Sequence, residues 1–443
     1  MTGKPNSVES GQDGAEKAAA GAGDSVGLAS GIMGRIGWSS ITEVLQLVSS
    51  AMAILILPRF IGAADYGVLS ASLGVSAATA SLSSFGTHIV LMKRVAQGYD
   101  LADAWARALS LGIVGPAVGS ALAIGVLRPL YLPDVDPWVF GFLVASQVNF
   151  FWVGELATFI GVGTRRLKES AQIRLIVVAC RVIALVGFAL FGQGSLGVWA
   201  VAAFASFAVS AVGAVGYVWK VFGLVPVFNR ISVADIREGL PFSVNSGSES
   251  LVDALDRPML LHYGHGVSAG IYGLATRVIQ FGYLPIRILL RASDADVFSA
   301  GKHGVASVWA VTRRKLLLSG IGVSVLVGFG FVVMSPLIPI VLGDSYQDSA
   351  VAIRWLAVLP GVRSIQYLMG NCLSAATHQW VRVRATMAAV VLNAGLNIWL
   401  LPTGTWRTAV GTTLVSEVFL ATLLAVIVGI LSYRERKGVA IQA

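Results

Sequence analysis

Charge is what this chain of 443 residues has least of: Asp, Glu, Lys and Arg together make up 12% of it. Soluble domains carry about a quarter. With 56% hydrophobic residues and a mean hydropathy of +0.76, the composition excludes an ordinary soluble domain and implies a polytopic membrane protein. Cysteine is almost absent. Cys180 and Cys372 both lie in apolar sequence, which leaves no disulfide framework and no metal-binding spacing. The histidines, His88, His262, His265, His303 and His378, form no ligand pair at helical spacing. No phosphate-cradling glycine loop occurs, so ATP is not expected to drive the chain directly. The first 34 residues lack the apolar core of a secretory signal and are rich in Ala, Gly, Ser and mixed charge. They read as a disordered cytoplasmic tail.

What is present is a succession of apolar stretches long enough to cross a bilayer. About twelve can be marked: 36–60, 66–92, 105–127, 137–161, 169–191 and 196–219, then 241–263, 268–291, 312–334, 350–374, 383–401 and 407–431. The fold class expected is therefore an all-α polytopic membrane protein. The cations alternate from loop to loop. Lys93 and Arg94, Arg165, Arg166 and Lys168, Lys220, Arg230 and Arg237, Arg313 and Arg314, Arg382 and Arg384, and Arg434 to Lys437 share one side with both termini. The other side is enriched in Asp65, Asp134, Asp136, Asp344 and Asp348. Positive-inside bias makes the cation-rich side cytoplasmic, so the formal charge of +9 reports topology and not nucleic-acid binding.

Two halves of six spans follow, with an N-lobe over 35–220, a connector over 221–239, a C-lobe over 240–432 and a cytoplasmic tail over 433–443. Ser232 with Asp235 forms a candidate capping box for a short helix in the connector. The halves resemble each other. Tyr66-Gly67 recurs as Tyr272-Gly273 at an offset of 206, and Pro129-Leu130 as Pro336-Leu337 at an offset of 207. Parallel repeats of this kind place a substrate site between lobes that rock.

The eighth span carries Arg277, Gln280, Arg287 and Arg291, which at about 100° per residue fall within an arc of roughly 80°. A central arginine costs roughly 2.5–3.5 kcal/mol by translocon insertion, so three on one face imply a wet cavity suited to an anionic cargo. The alternatives are a headgroup position for Arg291, snorkelling by Arg277 and a structural ion pair for Arg287. The seventh span opposes this stripe with Asn245, Glu249, Asp253 and Asp256 on one face. Such carboxylates can pair with the arginines or titrate to couple transport to H+ or Na+. Asp256 also fits a position at the outer interface. Glu43 shares a polar face with Ser39, Gln46 and Ser50 in the first span and needs a cationic partner. Arg363 shares a face with Gln366 and Tyr367 in the tenth. Arg181, Glu155 and Glu417 read as lone charges held in structural pairs. Asp294 and Asp296 make a DxD of the kind a glycosyltransferase uses, without a catalytic domain beside it.

Three stretches carry a family resemblance: PRFIGAADYGVLS at 58–70, LDRPMLLHYGHGVSAGIYGLATR at 255–277 and PLIPIVLGDSYQDSAVAIRWL at 336–356. In order and spacing they resemble the bacterial polysaccharide and O-antigen flippases of the multidrug/oligosaccharidyl-lipid/polysaccharide exporter superfamily. The resemblance spans nearly all of 35–433 and says nothing of the N-terminal tail. It implies two pseudo-symmetric six-helix lobes around a central cavity that faces each side of a bacterial inner membrane in turn. The implied cargo is an undecaprenyl-pyrophosphate-linked oligosaccharide, handed over by polysaccharide assembly enzymes. No enzyme activity, metal or resident cofactor and no nucleic-acid partner are implied. The resemblance carries cavity roles to Arg277, Arg287 and Arg291 and to Glu249 and Asp253; the polar faces read from the residues add Gln280 and Arg363 as expected substrate contacts and Glu43 and Asp256 to expected charge pairing or coupling. The alternatives are a multidrug antiporter of the same superfamily, disfavoured by the arginines because its cargo is usually cationic, and a membrane polysaccharide polymerase or ligase. Short outer loops count against the enzyme.

Overall fold

The structure is a computed structural model. It describes residues 12–291, 297, 299–315 and 320–437, and side chains within these from Thr42 onward except those of Glu43, Arg291, Arg314 and Lys315. Every described element is helical. This is what a bilayer demands, because backbone amides and carbonyls find no water there and must bond within the segment.

The described helices form twelve crossings. The first two are one helix, Gln12–Ser83, folded over at Gly62, whose φ of 78° only a residue without Cβ adopts cheaply. Crossing two continues through Thr87–Ala96 after a break at Phe85 and Gly86. Crossings three and four contain π-helical turns, Ala123–Leu127 and Ser146–Phe151. Leu167–Phe191 and Leu196–Phe222 complete the first lobe. The second lobe starts with Val233–Ala254 and Asp256–His262, then Gly266–Arg291. Crossing nine comprises Val305–Lys315 and Ile321–Met334, and crossing ten Gln347–Leu356 and Leu359–Ala375. Gln379–Leu400 and Trp406–Arg436 close the chain.

The helical backbone of crossing one runs back to Gln12 through an alanine-rich stretch, and alanine has the highest helix propensity. One sequence expectation changes. The Ser232–Asp235 capping box exists, but it opens crossing seven itself and not a separate connector helix.

Among the described residues, seven helices are long and apolar enough to cross a membrane on composition alone, and crossings seven to ten are not among them. Crossings nine and ten are absent because each is built from shorter helical pieces; crossings seven and eight are long enough and are absent because they carry the charge stripes.

The lobes meet along crossings two, seven and eight. The two Tyr-Gly steps of the repeat come together here, with Tyr66 and Tyr272 both buried. A Cβ at Gly67 would lie 2.1 Å from the Gly266 carbonyl oxygen, and one at Gly270 would lie 1.9 Å from that of Ala63. Only glycine permits this backbone contact. Tyr346 reinforces it, donating from its hydroxyl to the Pro58 carbonyl at 3.0 Å and packing edge-on against Tyr66. The His262 ring also reaches the Tyr131 carbonyl across the lobes at 3.0 Å. The lobes are thus closed at the end away from the termini. At the terminal end Arg94 donates to Asp235 at 2.6 Å and to Glu238 at 2.7 Å, while Lys93 donates to Glu238 at 2.9 Å.

Candidate functional site

Helical period places the site. Arg277, Gln280 and Arg287 project from one face of crossing eight into a cavity of about 640 Å³ in the second lobe. Glu249 and Asp253 of crossing seven face it, with Arg363, Gln366 and Tyr367 of crossing ten, Arg382 of crossing eleven and Glu417 of crossing twelve. With Arg257, five arginines stand against three carboxylates, a net charge of +2 on the wall.

Part of that charge is neutralised inside the lobe. Arg363 Nη2 donates to Asp253 Oδ1 and to Glu417 Oε1, both at 2.6 Å, and its Nε reaches Glu417 at 3.1 Å. Gln366 adds a bond to the other Glu417 oxygen at 2.7 Å. Glu417 is only 2% exposed, a depth at which a carboxylate requires partners of this kind. Nearer the terminal end, Arg382 donates to Glu249 at 2.8 Å, with Asn245 on the same oxygen at 3.4 Å. Arg257 bonds the Asp253 carbonyl at 2.7 Å, while its buried Nε has no partner among the described residues.

Arg277 is different. Among the described residues it has neither a carboxylate in ion-pair range nor a hydrogen-bond partner, and it stands close enough to Arg257 and Arg181 for their charges to repel. It also lines a second cavity of about 400 Å³ in the first lobe, whose wall includes Gln46, Ser50, Gln147, Trp152, Arg181 and Trp199. Ser50, Ile54, Leu73, Ala77 and Arg277 belong to both walls, so the cavities adjoin at Arg277.

Of the residues singled out in the sequence, Arg277, Gln280, Arg287, Arg363, Glu249 and Asp253 come together on one cavity. The side chains of Glu43 and Arg291, and residues Asp294 and Asp296, lie outside the described residues. Asp256 requires correction: it lines no part of the cavity and is not exposed at a surface. It is 1% exposed and accepts bonds from Tyr272 at 2.6 Å, from Thr413 at 2.8 Å and from Asn397. Pro258 cannot donate to the Ala254 carbonyl, which interrupts the hydrogen-bond ladder at Leu255, but Leu255 keeps helical angles and the face is continuous. Asp256 therefore sits one turn beyond Asp253, beneath the cavity, as a buried hub for crossings eight, eleven and twelve.

Sequence reasoning missed four members of the two cavity walls. Glu417 and Arg181 read as structural charges and Arg382 as a loop cation, while Arg257 was not singled out. The available signal for Glu417 was a charge in mid-span twelve. For Arg382 it was a helix that starts at Gln379. Among the described residues no three His, Cys, Asp or Glu side chains converge to hold a metal. The arrangement suits reversible binding of an anion: fixed guanidinium donors in a confined space of low dielectric, with carboxylates able to exchange for the ligand.

No protein-family model matches the chain, and no curated protein does either. Solved structures do. An inward-facing multidrug resistance MATE family transporter of the MOP superfamily aligns at a TM-score of 0.71 and 15% identity, covering 90% of this chain and 96% of its own. An outward-facing structure of such a transporter aligns at 0.54 and 14%, covering 88% and 98%. A MOP superfamily transporter from Pyrococcus furiosus, described as having a binding pocket of reverse polarity that suggests a different function, aligns at 0.59 and 14%, covering 89% and 94%. At these identities the likeness establishes the fold, that of MATE-type transporters.

Proposed function

We propose that this chain is a transporter of the bacterial inner membrane that carries an anionic amphiphile between leaflets by alternating access. The cargo class that fits best is a lipid-linked oligosaccharide with a diphosphate headgroup, received from polysaccharide assembly enzymes on the cytoplasmic side, where both termini lie. The observation that carries the reading is Arg277, a guanidinium without a counter-ion among the described residues where the two cavities adjoin. A buried cation left unpaired is costly, and a diphosphate supplies the missing charge in a geometry that guanidinium matches. Arg287 extends the same wall. Glu249 and Asp253, each already on an arginine, are the groups on which H+ or Na+ coupling would fall.

The test is transfer of a labelled lipid-linked oligosaccharide across proteoliposomes, with Arg277→Ala and Arg287→Ala. Both variants should reach the membrane at normal levels and lose transfer. Normal transfer by both overturns the reading. A second reading, a cation-coupled multidrug antiporter, is favoured by the fold it shares with MATE transporters and by the three carboxylates on the wall. Efflux of a cationic dye that survives Arg277→Ala and fails in Asp253→Asn would select it.

A further inference from the structure

The first-lobe cavity has a composition that the main site does not explain. Its wall carries Arg181 and Arg277, and no carboxylate among the described residues. Arg181 comes from crossing five and Arg277 from crossing eight, so the two guanidiniums belong to different lobes and repel one another across the cavity. Neither has a hydrogen-bond or ion-pair partner among the described residues. In the larger cavity, by contrast, Arg363 and Arg382 are each held by acids. Like charges facing each other with no counter-ion among the described residues disfavour the empty cavity, and an anion between them removes that cost.

The rest of the wall is not merely cationic. Trp152 and Trp199 line it beside Gln46, Ser50, Ser146 and Gln147. Trp152 Nε1 and Ser70 Oγ, also on this wall, have no hydrogen-bond partner among the described residues. Flat aromatic faces next to amides and hydroxyls accept a sugar ring, which presents apolar C–H faces and a rim of hydroxyls. The π-helical turn Ser146–Phe151 supplies three of the lining residues, and such turns recur at functional sites.

We propose that the first-lobe cavity is a subsite for a phosphorylated sugar, with Arg181 and Arg277 gripping the phosphate from opposite lobes and the Trp152 wall taking the ring. This rests on the transport reading above and locates the charged end of its cargo. Because one arginine comes from each lobe, an occupied subsite ties the lobes together and biases their relative position. Arg181 is then a binding residue and not a structural ion-pair member.

The experiment uses the full chain in nanodiscs, with glucose 1-phosphate, glucose and inorganic phosphate as probes in calorimetry. Glucose 1-phosphate should bind more tightly than either fragment. Arg181→Gln should weaken it at least about tenfold, the worth of a charged hydrogen bond, and Arg181→Lys by less. Trp152→Phe should weaken glucose 1-phosphate while leaving phosphate alone unchanged. Without ligand, Arg181→Gln should unfold at or above the wild-type temperature, because it removes an uncompensated charge; a structural role would lower it. Equal affinity of Arg181→Gln and wild type, or a lowered unfolding temperature without ligand, overturns the proposal. If Arg277→Ala abolishes lipid-linked oligosaccharide transfer while Arg181→Gln transfers and binds normally, only the subsite fails. If neither variant matters, the transport reading fails as well.

Discussion

The Arg363–Glu417 pair permits the sharpest test of how the second lobe is held together. Glu417 is 2% exposed and the Arg363 side chain 15%, so each depends on the other for its charge. Replacing Arg363 with Met leaves Glu417 with only the Gln366 amide, and breaking a buried pair from one side costs about 3–5 kcal/mol. Glu417→Leu should cost less, near the lower end of that range, because Arg363 keeps Asp253 at 2.6 Å. The double variant Arg363→Met, Glu417→Leu replaces both charges by apolar side chains of similar size. Such replacements are often neutral or stabilising, so it should lie within about 1 kcal/mol of wild type, apart from the freed Asp253. That carboxylate is 44% exposed and can hydrate in the cavity. Chemical unfolding of the four proteins in detergent gives the coupling energy, expected to exceed about 2 kcal/mol. Losses that add to within about 0.5 kcal/mol would refute the argument.

Gly270→Ala places a methyl 1.9 Å from the Ala63 carbonyl and should wedge the lobes apart. Overpacking of this sort costs about 1–3 kcal/mol, and an unchanged unfolding midpoint would show that the seam yields freely. Asp256→Asn puts an amide where Tyr272, Thr413 and Asn397 all donate. At least one donor then faces a donor, and stability should fall by about 1–3 kcal/mol; a neutral result would refute the three-donor arrangement. Outside the bilayer, burial alone would raise the Glu238 carboxyl, but bonds from Lys93 and Arg94 hold it below its ordinary value of 4.5. Its folded pKa is thus lower than its unfolded one. The stability it gives is present above the ordinary carboxylate range and is lost as pH falls through the folded value. Unfolding midpoints between neutral and acid pH should therefore drop more for wild type than for Glu238→Gln; parallel curves would contradict this.

The crossings were legible because lipid imposes one rule on every residue: apolar side chains outside, backbone bonds within. The charge stripes of crossings seven and eight were legible for the complementary reason, since Glu249, Asp253, Arg277 and Arg287 violate that rule at helical period. Partners were not. Nothing local to Glu417 distinguishes a cavity acid from a structural one, because the difference is made by Arg363, 54 residues away in sequence. Asp256 failed through depth. Its angle follows the stripe, but one turn beyond Asp253 the packing of Tyr272, Asn397 and Thr413 fills the space that the cavity occupies above. Arg382 failed through a boundary, since the charge pattern that located the loops absorbed a residue three positions inside a helix.

The two ends of the lobe interface are built from opposite materials. At the terminal end the Arg94–Asp235–Glu238 cluster is largely buried, with the Arg94 side chain 16% and that of Asp235 8% exposed, so its contribution exceeds the about 0–1 kcal/mol of an exposed ion pair. The other end uses glycine backbones in contact, Gly67 on Gly266 and Gly270 on Ala63, which bury little side chain and carry no charge. Tyr346 and His262 are the exceptions there, side chains of the second lobe bonded to the Pro58 and Tyr131 carbonyls of the first. The contacts of Glu417 with Arg363 and of Asp256 with its three donors lie within the second lobe and hold it together internally. Polar resistance to parting the lobes at the far end therefore falls on Tyr346 and His262, and at the terminal end on Arg94 and Lys93.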